Sequence, residues 1–390
     1  MAVTWLGTSS GNPTIHRNVS CAVLRLPHST FLVDCGEGTA KQMLRAGLSA
    51  ARVKGIMITH LHGDHIFGLA GCLKLISDQR AAAASSEAST KPLVIVGPPG
   101  LHMLLETLLL GAGLRLSMPI IGAQYVMDPS EAHPPEVKDG AGMVTFRWLP
   151  PCTRPLAARP SQAGHGRQPQ GQPGRSHQPG SLHEVPVVPG LTWRFPLADG
   201  IMVTSAQLQH RLPCWGYVLQ ETLPAAVVST ATSVDSTPAA ARGPGRKVVL
   251  LGDTCGSEAI AEAAVGADLV SHEATFADGM EHKARVAQHS TAAMAGAFAR
   301  RVAARQLVLT HFSGRYVVAA PARGERGEVT EEETEAGGRT INMLQYQASQ
   351  TFQSRNITAA HDFLTLPIPF ATAGPTKPAT QAASRSLSTV

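Results

Sequence analysis

The sequence predicts an α/β layered fold, and three observations predict it. Short apolar runs bounded by Gly, Pro, Asn or Ser recur along the chain. Segments of helical composition lie between them, which is the alternation expected of helices layered on sheets. Several of the runs stop at a His or an Asp, and no repeat of solenoid period is present.

In chain order, residues 3–6, 22–26 and 31–33 read as strands, and 38–46, rich in Ala, Lys, Gln, Met and Leu, reads as a helix. Residues 55–58 form another apolar run, and 66–77 read as the helix that follows it. A strand over 92–96 leads through Gly97-Pro98-Pro99-Gly100 into a Leu-rich helix. Strand-like sequence resumes at 191–195 and runs through 202–208 and 216–219. Residues 248–251, 269–272 and 307–310 are three more short apolar runs, separated by Ala-rich helical sequence.

The chain has 390 residues, 43% of them hydrophobic and only 5% aromatic, so aliphatic side chains are expected to fill most of the core. The expected organisation is a single domain over 1–370 with low-complexity inserts near 81–90, 151–190, 222–246 and 319–340, followed by a polar tail at 371–390. The net charge of +5 is compatible with a polyanionic partner and equally with compositional drift. None of the six cysteines forms a C-x-x-C pair, which predicts reduced thiols in an intracellular compartment. No apolar stretch has the length of a membrane span, and the N-terminus lacks a signal or transit pattern. A soluble, intracellular and most simply cytoplasmic protein is therefore expected.

The chemistry concentrates at Thr59-His60-Leu61-His62-Gly63-Asp64-His65. The stretch follows a run that reads as a buried strand, and ligand sites form at the carboxyl edge of α/β sheets. Imidazole and carboxylate suit zinc without any cysteine. His60 and His62 alternate by two and are able to face one ion; Asp64 and His65 offer a second pair to a second ion. Two ions held close together clamp the attacking and leaving oxygens of a phosphate displacement.

Two ions need more ligands than this segment supplies. His210, Asp253 and His311 each follow an apolar run, as His60 does, and a carboxylate at Asp253 has an oxygen for each of two cations. Any one of them alone reads as a hydrogen-bonded structural residue; together with His60 to His65 they favour a ligand set. His272-Glu273 and His289-Ser290 have no evident metal role and suit general acid work or orientation of a ligand.

These residues resemble the ribonuclease Z family, the tRNA 3′-end processing endonucleases of the metallo-β-lactamase superfamily. The match rests on HLHGDH at His60 to His65, Arg17-Asn18 in the N-terminal loop and DCGEGT from Asp34. It continues through HEATF from His272, HST from His289 and the run Thr310 to Tyr316. The stretch 360–369 resembles the family's closing strand. The resemblance implies an αββα sandwich of two mixed sheets flanked by helices. It implies one zinc on His60, His62 and His210, a second on Asp64, His65 and His311, and Asp253 bridging, with Mn2+ as a possible substitute.

By the same resemblance, Asp64 orients the attacking water, His289 aided by Glu273 protonates the leaving oxygen, and Arg17, Asn18, Ser313, Arg315 and Tyr316 contact substrate. The implied activity is removal of the 3′ trailer from precursor tRNA, leaving a 3′-hydroxyl, by a homodimer. One departure concerns the family's tRNA-gripping arm: its place is held by 222–246, nearly free of basic charge, while an Arg-bearing insert lies at 151–190. The rival readings are a phosphodiesterase or sulfatase of the same superfamily acting on a small ester, and a non-catalytic RNA-binding relative.

Overall fold

The computed structural model describes residues 1–83, 91–128, 136–138, 143–152, 191–222, 245–316 and 340–370. The expected inserts and tail lie almost wholly outside these residues. Within them the chain forms two mixed sheets stacked face to face with helices outside, the αββα sandwich anticipated above.

The first sheet has nine strands: β1 (Ala2–Gly7), β2 (Cys21–Arg25), β3 (Thr30–Val33), β4 (Val53–Met57), β5 (Leu93–Gly97), β6 (Ile120–Tyr125), β7 (Glu136–Lys138), β8 (Val144–Leu149) and β16 (Thr365–Pro367). Their spatial order is β16-β1-β2-β3-β4-β5-β6-β8-β7, with parallel pairing from β3 through β6 to β8. The second sheet holds β9 (Thr192–Leu197), β10 (Ile201–Leu208), β11 (Cys214–Glu221), β12 (Lys247–Leu251), β13 (Leu269–Glu273), β14 (Leu307–Thr310) and β15 (Ile357–Ala359). It is antiparallel from β9 to β12 and parallel from β12 to β15. The carboxyl ends of β3, β4, β10, β12, β13 and β14 meet along one edge of the sandwich.

Aliphatic side chains fill most of the core, as expected, but the layer between the sheets also gathers a group of aromatics. Trp5, Trp193, Trp215, Tyr125, Tyr217 and Phe31 are buried together there. The Tyr125 and Trp215 rings stack at 4.9 Å, and Trp193 meets Trp215 edge-on at 5.7 Å. Each such ring removes about 150–250 Å² from water, so a few of them fill this layer. All their polar atoms but Trp215 Nε1 find partners: for example, Trp5 Nε1 donates to Ser271 Oγ across the sheets at 3.1 Å, and Ser205 Oγ donates to the Tyr125 hydroxyl at 2.9 Å. Further aliphatic and Ala-rich clusters lie on the outer faces of the sheets. Met43, Leu73 and Ile76 pack on the first sheet, and Ala295, Phe298, Leu344 and Ala348 on the second.

Three expected boundaries are corrected. The helix read at 66–77 is instead a single turn, α2 (Gly63–Ile66), followed after a break by α3 (Leu69–Ala82). Ala81 and Ala82, placed at the start of the insert near 81–90, complete α3. The closing strand read at 360–369 is shorter: it is β16, which pairs with β1 at the edge of the first sheet. The break between α2 and α3 comes from a close backbone approach. Cys35 N–H donates to the His65 carbonyl at 2.7 Å and Gly68 N–H donates to the Cys35 carbonyl at 2.8 Å. This clamps the loop after β3 onto the turn carrying His65. A Cβ on Gly68 would stand 2.0 Å from the Gly36 carbonyl oxygen.

Gly68→Ala should therefore cost about 1–3 kcal/mol through forced backbone displacement. Urea unfolding measures it, and an unchanged midpoint would contradict the close approach.

Candidate metal centre

The edge where the strands end gathers the predicted ligands. His60, His62, His210 and Asp253 have donor atoms within 4.8 Å of one another, and so do Asp64, His65, Asp253 and His311. Asp253 belongs to both groups. Its Oδ2 lies 3.6 Å from His60 Nε2 and 3.5 Å from His65 Nε2, and its Oδ1 lies 3.3 Å from His311 Nε2. His62 Nδ1 stands 2.8 Å from His60 Nε2 and 3.2 Å from His210 Nε2. Four of the seven, His62, Asp64, Asp253 and His311, line a cleft of about 420 Å³.

Local structure places them. The Trp215 N–H donates to the Thr59 carbonyl at 2.9 Å, and the Tyr217 hydroxyl donates to the Ile58 carbonyl at 2.6 Å. The second sheet thereby holds the segment entering His60. His311 follows β14 with φ of 56°, a left-handed conformation uncommon for a residue with a side chain, and Asp34 follows β3 with φ of 65°. Strain of this kind, of order 1–3 kcal/mol each, persists where surrounding contacts enforce it.

The rings are oriented from behind. Asp34 Oδ2 accepts the His65 Nδ1 proton at 2.7 Å, and Asp34 also accepts from the Thr59 hydroxyl, which stands 3.0 Å from His60 Nδ1. His210 Nδ1 donates to the Gln288 carbonyl at 2.8 Å. His311 Nδ1 lies 3.0 Å from the Thr275 hydroxyl, which donates to Glu273 at 2.6 Å. With Nδ1 committed outward, Nε2 of all four rings faces the centre, the orientation that metal-ligating histidines adopt. In sequence Asp34 is only part of the DCGEGT signature; its role follows from φ and from partners distant in sequence.

The electrostatics ask for positive charge. Burial, reinforced by the neighbouring His210, lowers His62 to about 4, and burial holds His60 and His210 low as well, so these rings are neutral. Burial also opposes charge on His65, but Asp253 and Asp34 outweigh it and favour a cation there. Asp64 and Asp253 are held ionised against burial by the surrounding imidazoles, His311 foremost. Buried anions facing inward lone pairs are stable around a metal ion and costly otherwise. The donor set fits a metal.

His289 borders the centre. Its Nδ1 pairs with Glu273 Oε1 at 2.9 Å, and Glu273 also accepts the Thr254 N–H at 2.6 Å. Burial pulls His289 down, but the Glu273 carboxylate overrides it and pushes the ring up to about 9. His272 is elsewhere: it is buried, and its Nδ1 donates to its neighbour's carbonyl at 2.8 Å.

The expected substrate contacts divide. Arg17 turns inward, with Nη1 donating to Thr8 Oγ1 at 2.7 Å and to the Ala360 carbonyl at 2.8 Å, and its guanidinium lies over Phe312. It braces two loops rather than facing the cleft. Tyr316 is buried, and its hydroxyl accepts the Ala277 N–H at 2.7 Å. Asn18 Nδ2 donates to the Glu37 carbonyl at 2.8 Å. Arg315 remains exposed, with Nε donating to Ser313 Oγ at 2.9 Å. Arg211, Glu37 and Phe67 line the cleft without having been singled out in the sequence.

A family model described as the anti-Pycsar protein Apyc1 matches residues 1–85, the part holding HLHGDH. Longer matches decide the family. Ribonuclease Z of Synechococcus sp. (strain CC9605) is 34% identical over 324 residues, covering 82% of this chain and 89% of that one. The zinc phosphodiesterase ELAC protein 1 of Mus musculus is 31% identical over 401 residues, covering 95% and 99%. The chain belongs to the ribonuclease Z family. In structure this family member is similar to the human short-form tRNase Z (ELAC1), with a TM-score of 0.59, 26% identity and coverage of 95% and 100%. It shares its fold with the metallo-β-lactamase fold protein YhfI of Bacillus subtilis, at a TM-score of 0.53 and 14% identity.

Replacing Asp34 by Asn removes the charge behind His65 while keeping its size. Chelator competition should show metal affinity about 10- to 100-fold weaker. Unaltered affinity would take Asp34 out of the support for the centre.

Proposed function

We propose that this chain is a zinc-dependent endoribonuclease that removes the 3′ trailer from precursor tRNA, leaving a 3′-hydroxyl on the tRNA. The observation that carries the reading is the pair of donor groups sharing Asp253 in one cleft, in a chain that tracks ribonuclease Z relatives along most of its length. His60, His62 and His210 would hold one zinc and Asp64, His65 and His311 the other, with Asp253 between them; Mn2+ suits the same imidazole and carboxylate donors. When bound, the ions supply Lewis acidity toward phosphate oxygens and make water acidic enough to act as a nucleophile near neutral pH.

The side chains supply the rest. Asp64, kept ionised beside His311 and His65, orients the attacking water and takes its proton. Its Oδ2 also accepts the Gly11 N–H at 2.8 Å, which ties the N-terminal loop to the centre. His289 has Nδ1 committed to Glu273, so its Nε2 protonates the departing 3′-oxygen. Exposed Arg315 with its partner Ser313, and Arg211 in the cleft wall, would meet phosphates of the incoming strand, where guanidinium stabilises negative charge. Arg17, Asn18 and Tyr316 position the loops that bear these groups. A homodimer is the expected assembly, and light scattering measures it.

The direct test maps cleavage products on a tRNA precursor. A single cut at the 3′ side, abolished by chelation and by His62→Ala, supports the reading; cleavage that persists after metal removal sinks it. His289→Ala should retain bound metal and slow turnover by about two to four orders of magnitude. Metal loss in that variant would move His289 into the ligand set.

The protonated form of His289 is the donor, so turnover should fall as pH rises through its raised value of about 9. Glu273→Gln removes the charge that raises it, and the alkaline limb of the kcat profile should move to lower pH. A limb that stays in place would contradict the pairing.

A further inference from the structure

Phe67 stands beside the centre, one turn after Asp64, with its ring 75% exposed. Exposure alone would carry nothing, because single apolar side chains are ordinary on protein surfaces. Position carries the inference. The Phe67 N–H donates to the Gly63 carbonyl at 2.9 Å, which fixes its backbone at the end of α2. A Cβ on Gly63 would stand 2.2 Å from ring atom Cε2, 2.5 Å from Cζ and 2.7 Å from Cδ2. The ring therefore lies directly against the Gly63 α-carbon, in space that only glycine leaves open. One side of the ring is backed by the metal-motif backbone, and the other is open to the cleft that it lines with His62, Asp64, Glu37 and Arg211.

We propose that Phe67 is a stacking platform for a nucleobase flanking the scissile phosphate, an inference that rests on the RNA-cleaving reading above. A diester phosphate bound in this cleft beside the centre carries a nucleoside on each side, so a flanking base is delivered within about one nucleotide of this ring. Single-stranded RNA is gripped by stacking unstacked bases on aromatic side chains, and such stacking tolerates any sequence because every base has a π-face. A ring held flat has little conformational freedom left to lose on binding. Glu37 and Arg211 on the same wall offer an acceptor and a donor to the edge of a stacked base, whereas a small ester would leave the ring uncovered.

The test is a two-by-two comparison of kcat/KM. Wild type and Phe67→Ala are each given the intact tRNA precursor and precursors with an abasic nucleotide at one or the other position flanking the cut. Phe67→Ala should lose roughly 5- to 150-fold on the intact precursor, the range that stacking of one base supports. An abasic nucleotide at one of the two positions should cost wild type a similar factor, and the variant should lose little more on it. Phe67→Tyr, which keeps the flat ring, should retain most of the rate.

Losses that simply multiply, or no loss in Phe67→Ala, would overturn the proposal. So would a Phe67→Ala protein that falls from dimer to monomer in light scattering, which would assign the ring to a contact between copies. Wild type inert on the intact precursor would take down the RNA-cleaving reading and this inference together. Wild type active without dependence on Phe67 would take down this inference alone.

Discussion

The arrangement depends on one electrostatic constraint. Five imidazoles, His60, His62, His65, His210 and His311, and two carboxylates, Asp64 and Asp253, gather in two groups that share Asp253; all but His62 and Asp64, which face the cleft, are buried. Inward lone pairs and anions repel in a medium of low dielectric, and only positive charge between them reconciles the group. The rest of the sandwich serves this convergence. Strand ends from both sheets deliver the residues, and left-handed turns at Asp34 and His311 aim side chains. Outward hydrogen bonds from Nδ1 keep the rings from rotating away.

The two halves of the chain are coupled at this edge rather than merely juxtaposed. Backbone from the second sheet holds Thr59, and Asp253 reaches across to His65. The first and last described segments close the opposite side: Asp362 accepts from the Thr8 hydroxyl, the Asn18 N–H and Gln42 Nε2. Ser9 bridges to Phe312 beside His311. The N-terminal loop that reaches Asp64 through Gly11 is therefore positioned by residues more than three hundred places away. A centre assembled this way forms only when the full sandwich does, which links metal affinity to folding.

Legibility in the sequence followed locality. HLHGDH was readable because four donors sit within six positions after a strand. His210, Asp253 and His311 were readable because each ends an apolar run, and a carboxyl-edge site draws on such ends. The orientation of Arg17 and Tyr316 was not, since an arginine that meets phosphate and one that braces a loop look alike until the Ala360 carbonyl is placed beside it. The service of Asp34 to His65 depends on a backbone angle that sequence does not display. β6, β8 and the helix Ile341–Phe352 were passed over, because short apolar runs carry an ambiguous period. The aromatic layer was hidden by composition: a low aromatic fraction says nothing of how tightly its members gather between the sheets.

Diffraction recorded above and below the zinc absorption edge, from crystals grown with zinc, tests the central claim most directly. Two anomalous peaks should lie in the cleft, one among His60, His62 and His210 and one among Asp64, His65 and His311, with Asp253 touching both. A single peak, or peaks away from Asp253, would contradict the account.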